Sequence, residues 1–421
     1  MFPGWSSWLL VVRDPVVILI YLVAMSKGQM VVNRWLIGAA LVVLTSFLIT
    51  VAQGRPLLIA LYGLRTNLLH LPLIFLLPRI LTKSDVWRIG RLFVLLAAPM
   101  ALLAALQFLS PRFAWLNVGA GGDPGGQLFA ASGKIRPSGT FSFVTGMVSF
   151  LTMTGAFLLA DLLQRRRLGT LARWVAIPSL VLSLGIAGSR SALAGVAIVF
   201  GCFLVAALLF GRKPWSVVGT VCLIFIAYLG LTLLPIFRDG LQVQKERFDA
   251  GGGVEHGVIF RYLGQLGESL EVASYAPPFG EGLGMGTNVA AGLLTGKRQF
   301  LLAEGEWARV VLESGPLLGY AYILLRIALG CILAIEAWKA ARDQRPAAMV
   351  LLGACVLDVM MGQFGQPTTL GFVVVGAGLT LAMSRAPAEE PAPDVAQVPG
   401  HLPVRGRGIF AEMLHTKRRS S

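Results

Sequence analysis

The sequence predicts an all-α polytopic integral membrane protein of about eleven (10–12) transmembrane helices, with a large outer-face loop between the eighth and ninth spans. Three observations predict it. The 421 residues are 56% hydrophobic and 14% charged, with a mean hydropathy of +0.73, whereas a soluble domain carries about 25% charged residues. Apolar runs close to 20 residues long recur, the length at which a helix crosses hydrocarbon with its backbone satisfied internally. Basic residues gather in alternate connections, as they do in loops kept on the cytoplasmic side.

The spans fall near 8–26, 35–52, 56–77, 90–110, 143–163, 174–188, 190–210, 215–236, 309–335, 347–364 and 367–384. The first carries Arg13 and Asp14 and lacks a basic leader, so it reads as a retained anchor. The connections holding Lys27/Arg34, Arg79/Lys83/Arg88/Arg91, Arg165/Arg166/Arg167/Arg173, Arg212/Lys213 and Lys339/Arg342/Arg345 alternate along the chain. Placing them inside puts the N-terminus outside and the C-terminus inside. Residues 1–384 then form a single membrane domain with outer loops at 111–142 and 237–308, and 385–421 form a disordered basic tail rich in Pro and Ala. The net charge of +15 follows from the inner loops and implies no nucleic-acid partner. All four cysteines, Cys202, Cys222, Cys331 and Cys355, lie in apolar runs and read as small core residues.

The loop 237–308 carries nine acids against six basic residues. Within it Val258, Tyr262, Leu263, Leu266 and Leu270 repeat at helical spacing, which predicts an amphipathic helix on the membrane surface.

Four segments at the outer face, and two spans inside the membrane, carry polar or charged groups that could do chemistry. In GSRSALAG, 188–195, Arg190 sits in the first turn of a helix, where free N–H groups favour an anion; it forms part of a diphosphate site or snorkels to headgroups. KIRPSGTFSF, 134–143, opens another helix with Arg136 at its mouth, and the same two readings apply. Arg261 lies on the amphipathic helix, followed by PPFGEGLGMG, 277–286, a tight turn of little bulk suited to close approach of a substrate. LLAEGEWARVVLESGPLLG, 301–319, places Glu304, Glu306 and Arg309 where a span begins; the acids serve as a general base or offset the helix dipole. Within the membrane, Arg65, Asn67 and His70 interrupt the third span, and Asp358 and Gln363 occupy the tenth. Asn67 and His70 share a helical face from which Arg65 points away. Such residues line an access path or hold helices together. The outer loops contain no Asp-x-Asp pair, His/Cys cluster or P-loop, so neither a metal-held nucleotide donor nor ATP-driven transport is supported.

In order along the chain, GLR (63–65), RPSGTF (136–141), SRSALAG (189–195), the Arg261 segment with PFGEGLGMG, and ESGPLLG (313–319) together resemble the O-antigen ligase and O-antigen polymerase superfamily of bacterial membrane glycosyltransferases. The resemblance spans roughly residues 55 to 335. It implies a multi-pass protein of the inner membrane with its active site on the periplasmic side, working without metal or other cofactor. Its substrates would be a glycan on a polyprenyl diphosphate carrier and an acceptor sugar hydroxyl, on another carrier-linked glycan for a polymerase or on lipid A core for a ligase. A chain-length regulator is a further possible partner. Arg190 and Arg261 would grip the leaving diphosphate, Arg136, Arg309 and Arg65 would add anion or glycan contacts, and Glu304 or Glu306 would activate the acceptor. Ligases of the family usually carry a His-Asn pair about nine residues before the Glu of an E-x-G element. Counting back from Glu313 lands on Glu304, so this departure favours the polymerase branch. The rival class is a transporter or flippase of lipid-linked oligosaccharides, for which paired inverted repeats are missing.

Overall fold

Sixteen α-helices make up most of what the structure, a computed structural model, describes, namely residues 6–118, 128–164, 168–210, 214–250, 260–296 and 301–385. In chain order they are α1 (Ser6–Ser26), α2 (Arg34–Ala52), α3 (Leu57–Leu64), α4 (Pro72–Ile80), α5 (Lys83–Leu109), α6 (Val144–Leu163), α7 (Thr170–Ile186) and α8 (Arg190–Phe210). There follow α9 (Pro214–Leu231), α10 (Pro235–Asp249), α11 (Phe260–Ala273), α12 (Asn288–Thr295), α13 (Glu306–Arg342), α14 (Ala347–Gly353), α15 (Val356–Met361) and α16 (Pro367–Arg385). A π-helical turn, Arg65–Leu69, joins α3 to α4. The expected tail lies, from 386 on, outside the described residues.

Seven of these segments are long and apolar enough to cross a membrane: α2, Leu57–Ile80 as one, α5, α6, α8, α13 and α16. An eighth is reached if α9 and α10, bent by 105° at their junction, count as one broken span. Their apolar side chains face outward: Leu41, Leu48, Leu102, Leu208 and Leu324 are all more than 60% exposed, while Thr154, Asp161 and Thr380 are fully buried. A water-soluble surface does not tolerate so continuous an apolar coat, and the chain is built as a polytopic membrane protein. The expected span at 174–188 is a helix of 17 residues, α7. The one at 347–364 is broken into α14 and α15, with α14 buried along its whole length.

Local chemistry sets the helix ends. Thr82 and Asp85 form a reciprocal capping box at the start of α5, and Asn33 accepts from the Leu36 N–H at the start of α2. Asp161, at the end of α6, accepts from the Leu168 N–H at 2.9 Å and pairs with Arg173 of α7 at 3.2 Å, closing that turn with a buried ion pair.

The helix α13 is not straight. Gly315 lies at φ 76°, ψ 164°, a conformation open to glycine, and Pro316 cannot continue a helix from 312. The chain reverses there, so that 306–314 lies antiparallel against the first turns of 316–342. A Cβ built on Gly319 would fall 2.8 Å from Val311 Cα, and Glu306 meets Arg326 at 2.7 Å. The short arm therefore ends with orphan carbonyls, and the 277–286 loop satisfies them: the N–H of Glu281 donates to Leu312 O at 2.7 Å and that of Gly282 to Glu313 O at 3.0 Å.

Two ends of the bundle are distinguished. At one, Gln53 Nε2 after α2 reaches Gly280 O at 3.1 Å, Gln107 of α5 holds Gly139, and Thr145 of α6 meets Gln366 before α16 at 3.1 Å. At the other lie the α6–α7 turn and Arg345, which donates to Ser384 O at the end of α16.

Candidate functional site

The reversal at Gly315 decides the environment of the charged segment. Glu306, Arg309 and Glu313 recur at i, i+3 and i+7 and so share one face of the short arm, and that face is folded inward against the long arm. Glu306 Oε2 accepts from Arg309 Nε at 2.9 Å; Oε1 accepts from Arg309 Nη2 at 2.9 Å, from Arg326 Nη1 at 2.7 Å and from the Phe364 N–H at 3.1 Å. Arg309 Nη1 lies 2.7 Å from Glu313 Oε1, which also accepts from the Gly286 N–H at 2.9 Å. The remaining donors of Arg326 go to Val359 O, Asp358 O and Gly362 O, and its guanidinium stacks 3.7 Å over the Phe364 ring. Two acids and two arginines thus form a neutral network with no side chain more than 5% exposed. Arg326 ties the ends of α15 and the short arm to the long arm, at a depth of about 16 Å below the reversal at 1.5 Å per residue.

Both carboxylate oxygens of Glu306 accept hydrogen bonds and its side chain is fully buried, so it holds Arg309 and Arg326. Glu304 differs. It is exposed, its carboxylate has no partner among the described residues, and its backbone O is held by Gln363 Nε2 at 2.6 Å. It lines a cleft together with Thr287, Glu306, Arg309, Gln363 and Gln366. Of the two acids expected to activate an acceptor, the structure leaves Glu304 chemically available.

The cleft adjoins the segment 134–143 through Thr145 and Gln366. Gln107, buried on α5, clamps that segment with both ends of its amide, Nε2 to Gly139 O at 3.0 Å and Oε1 from Gly139 N at 2.8 Å. A short hairpin paired at Phe129 and Ile135 presents Arg136, whose Nε donates to Phe129 O at 3.0 Å. A Cβ built on Gly188 would lie 3.7 Å from Arg136 Cγ, so the segments 134–143 and 188–195 are brought together. Arg190 is the first residue of α8, half-buried, with no hydrogen-bond or ion-pair partner among the described residues.

Arg261 is the second residue of α11, so the expected amphipathic helix is present; its side chain lies outside the described residues. Leu266 and Leu270 of that helix are exposed, while Val272 is buried against the short arm. A Cβ built on Gly305 would clash with Glu268 Oε2 at 2.2 Å, which places α11 beside the start of α13. The glycine loop 277–286 does not stand open. A Cβ on Gly284 would come within 2.4 Å of Ile59 O: its lack of bulk admits helix α3, not a substrate.

Arg65 belongs to a separate cluster. Its Nε donates to Asp14 Oδ2, His70 Nε2 lies 3.4 Å from Asp14 Oδ1, and Arg13 Nη1 donates to Pro367 O at 2.8 Å. The expectation that Arg65 points away from His70 is corrected here. In the π-helical turn residues five apart align, so both converge on Asp14 and fasten α1 to the α3–α4 segment.

Sequence reading missed Arg326, Gln107 and the role of Glu313. For Arg326 a signal exists: an arginine inside a long apolar run must find a partner.

Fold and site define a polytopic membrane protein with a charged cleft, lined by Glu304, Glu306 and Arg309, at one end of its helical bundle. The chain matches no protein-family model and no curated protein.

Proposed function

We propose that the protein is a membrane glycosyltransferase of surface polysaccharide synthesis, transferring a glycan from a polyprenyl diphosphate carrier to an acceptor sugar hydroxyl at the outer face of the inner membrane, as a polymerase. The observation that carries this reading is the free carboxylate of Glu304 in a cleft beside the buried, rigidly held Arg309, at the bundle end that also gathers Arg136 and Arg190. Sidedness is supported by the opposite end, where Lys83, Arg88, Arg173, Lys339, Arg342 and Arg345 collect.

In this reading Glu304 accepts the proton of the acceptor hydroxyl as its oxygen attacks the anomeric carbon. The bond from that carbon to the carrier oxygen breaks, and the polyprenyl diphosphate leaves with the electron pair. Arg190 and Arg136 stabilise the charge that develops on it, with Arg261 as the third cation implied by the resemblance. Arg309, fixed by Glu306 and Glu313, contacts the acceptor sugar. The proton on Glu304 passes to water.

The test is purified protein in lipid nanodiscs given a carrier-linked oligosaccharide, with product length read on gels, with and without lipid A core. The expected outcome is polymer without core, and a loss on the order of 10²–10⁴ in rate for Glu304→Gln, the range for a general base. Near-wild-type polymer from Glu304→Gln overturns the role of Glu304; glycan appearing only on lipid A core makes the protein a ligase.

A further inference from the structure

Helix α10 is the polar arm of the bent pair, and it runs across the turn between α7 and α8. Its successive residues mark its course. Phe237 and Gly240 pack on Gly185, Val243 lies 3.8 Å from a Cβ built on Gly188, and Arg247 Nη1 donates to Ala130 O at 3.4 Å on the hairpin that carries Arg136. Gln244 shares the face of Gly240, one turn further on, and is bracketed by Val243 and Arg247. It is 6% exposed, and among the described residues neither Nε2 nor Oε1 has a hydrogen-bond partner.

A buried primary amide with both ends unmatched is uncommon, because each lost hydrogen bond to water goes unreplaced. Gln107, on the other side of the same hairpin, shows the usual outcome, with both ends of its amide bonded to Gly139. Gln244 instead lies on the helix that crosses the α7–α8 turn, and that turn adjoins a region built for an anion. Arg190 stands there, without a partner among the described residues, at the N-terminus of α8, a helix of 21 residues, and Arg136 passes beside Gly188. A guanidinium and a helix N-terminus need only negative oxygen. An amide that presents a donor and an acceptor side by side matches a hydroxyl, which accepts and donates in turn.

We propose that Gln244, with Arg190, Arg136 and the N-terminus of α8, forms a subsite for a sugar phosphate, in which the arginines take the phosphate oxygens and Gln244 binds a hydroxyl of the sugar attached to them. This deepens the proposed function and rests on it: the ligand is the first sugar of the carrier-linked glycan, and Gln244 discriminates a loaded carrier from a spent one. Product release follows from the same geometry, since the carrier diphosphate left after transfer has no sugar hydroxyl to offer.

The experiment measures binding of the full-length protein, in nanodiscs of phosphatidylcholine, to two probes: undecaprenyl diphosphate and undecaprenyl diphosphate bearing one N-acetylhexosamine. Nanodiscs containing phosphatidylglycerol form a third arm, which tests whether a lipid phosphate fills the site instead. Wild type is expected to bind the sugar-bearing probe at least about tenfold more tightly, the size of one or two hydrogen bonds. Gln244→Leu is expected to abolish that preference and to leave the affinity for undecaprenyl diphosphate within about twofold. Arg190→Ala is expected to weaken both. The empty Gln244→Leu protein is expected to melt at a temperature no lower than wild type, because an unmatched amide has been replaced by an apolar group of similar size. Gln244→Glu, which keeps the volume and loses the donor, is expected to lose the preference as well. A Leu variant with wild-type preference overturns the proposal, as does a lowered melting temperature in both Gln244 variants, which would mark a structural amide. Competition by phosphatidylglycerol against both probes alike overturns the sugar specificity. A wild type that binds neither probe overturns the proposed function itself.

Discussion

At the scale of single residues, Glu306 and Arg326 are the pair on which the buried charge network turns. Replacing one member leaves the other as an uncompensated charge among apolar helices, a loss of about 3–5 kcal/mol in comparable buried pairs. Glu306→Gln and Arg326→Gln are therefore each expected to lower the unfolding midpoint in detergent sharply. The double variant should lose less than the sum of the singles, since neither buried charge then stands alone across the pair. Additive losses would mean that the two do not act together. Glu304→Gln, in contrast, is expected to leave the midpoint unchanged within about 0.5 kcal/mol, as an exposed carboxylate without partners does. The sequence shows Glu304 and Glu306 as equivalent acids near a membrane boundary, and their separation into one free and one saturated group was not legible there. It depends on a reversal that brings Arg326 back to Glu306, 20 positions earlier in the chain. The i, i+3, i+7 spacing of Glu306, Arg309 and Glu313 was legible, and it does set the shared face.

At the scale of elements, the reversal at Gly315 and the glycine loop form one device. The loop donates two N–H groups to the short arm's terminal carbonyls and receives the Glu313 carboxylate at Gly286. A Cβ on Gly315 would lie 2.1 Å from Pro278 O, in a backbone region that already disfavours side chains. Gly315→Ala is expected to detach the loop, seen as new protease cleavage within 277–286 and loss of the proposed transferase activity, with the spans still inserted. Intact protease resistance would show that the reversal does not need glycine. The E-S-G-P motif announces a helix break to anyone reading the sequence, since glycine followed by proline punctuates a helix. What it does not announce is the angle, so the expected span at 309–335 ran straight through the reversal. The amphipathic helix near 258–272 was found by its periodicity. Helix α10 was not, although Phe237, Gly240, Val243 and Gln244 repeat at helical spacing, because Pro235 and a run of charged residues read as the start of a loop.

At the scale of the whole molecule, the all-helical membrane architecture follows from composition and run length, because lipid forces every backbone group to be satisfied within its own segment. The number of crossings does not follow, because run length cannot tell a crossing from the broken pair α14 and α15, of which α14 is apolar through packing against protein along its whole length. Orientation is the property on which the proposed function depends, since the carrier-linked substrate and the cleft must meet on one side. Charge separates the two ends: Lys83, Arg88, Arg342 and Arg345 lie away from the cleft, and α11 lies beside it. Single cysteines introduced at Ser274, exposed after α11, and at Ser84, exposed at the start of α5, report on opposite ends once the four native cysteines are replaced. In cells whose cytoplasm-enclosing membrane is sealed, a charged maleimide is expected to label Ser274→Cys. It should label Ser84→Cys only after that membrane is opened. A protein that keeps only the native Cys331, exposed on the apolar surface of α13, should stay unlabelled in both conditions, because a charged reagent does not enter hydrocarbon. Labelling of Ser84→Cys in sealed cells would put the cleft on the cytoplasmic side, where no flipped carrier-linked glycan is presented, and the transferase reading would fall with it.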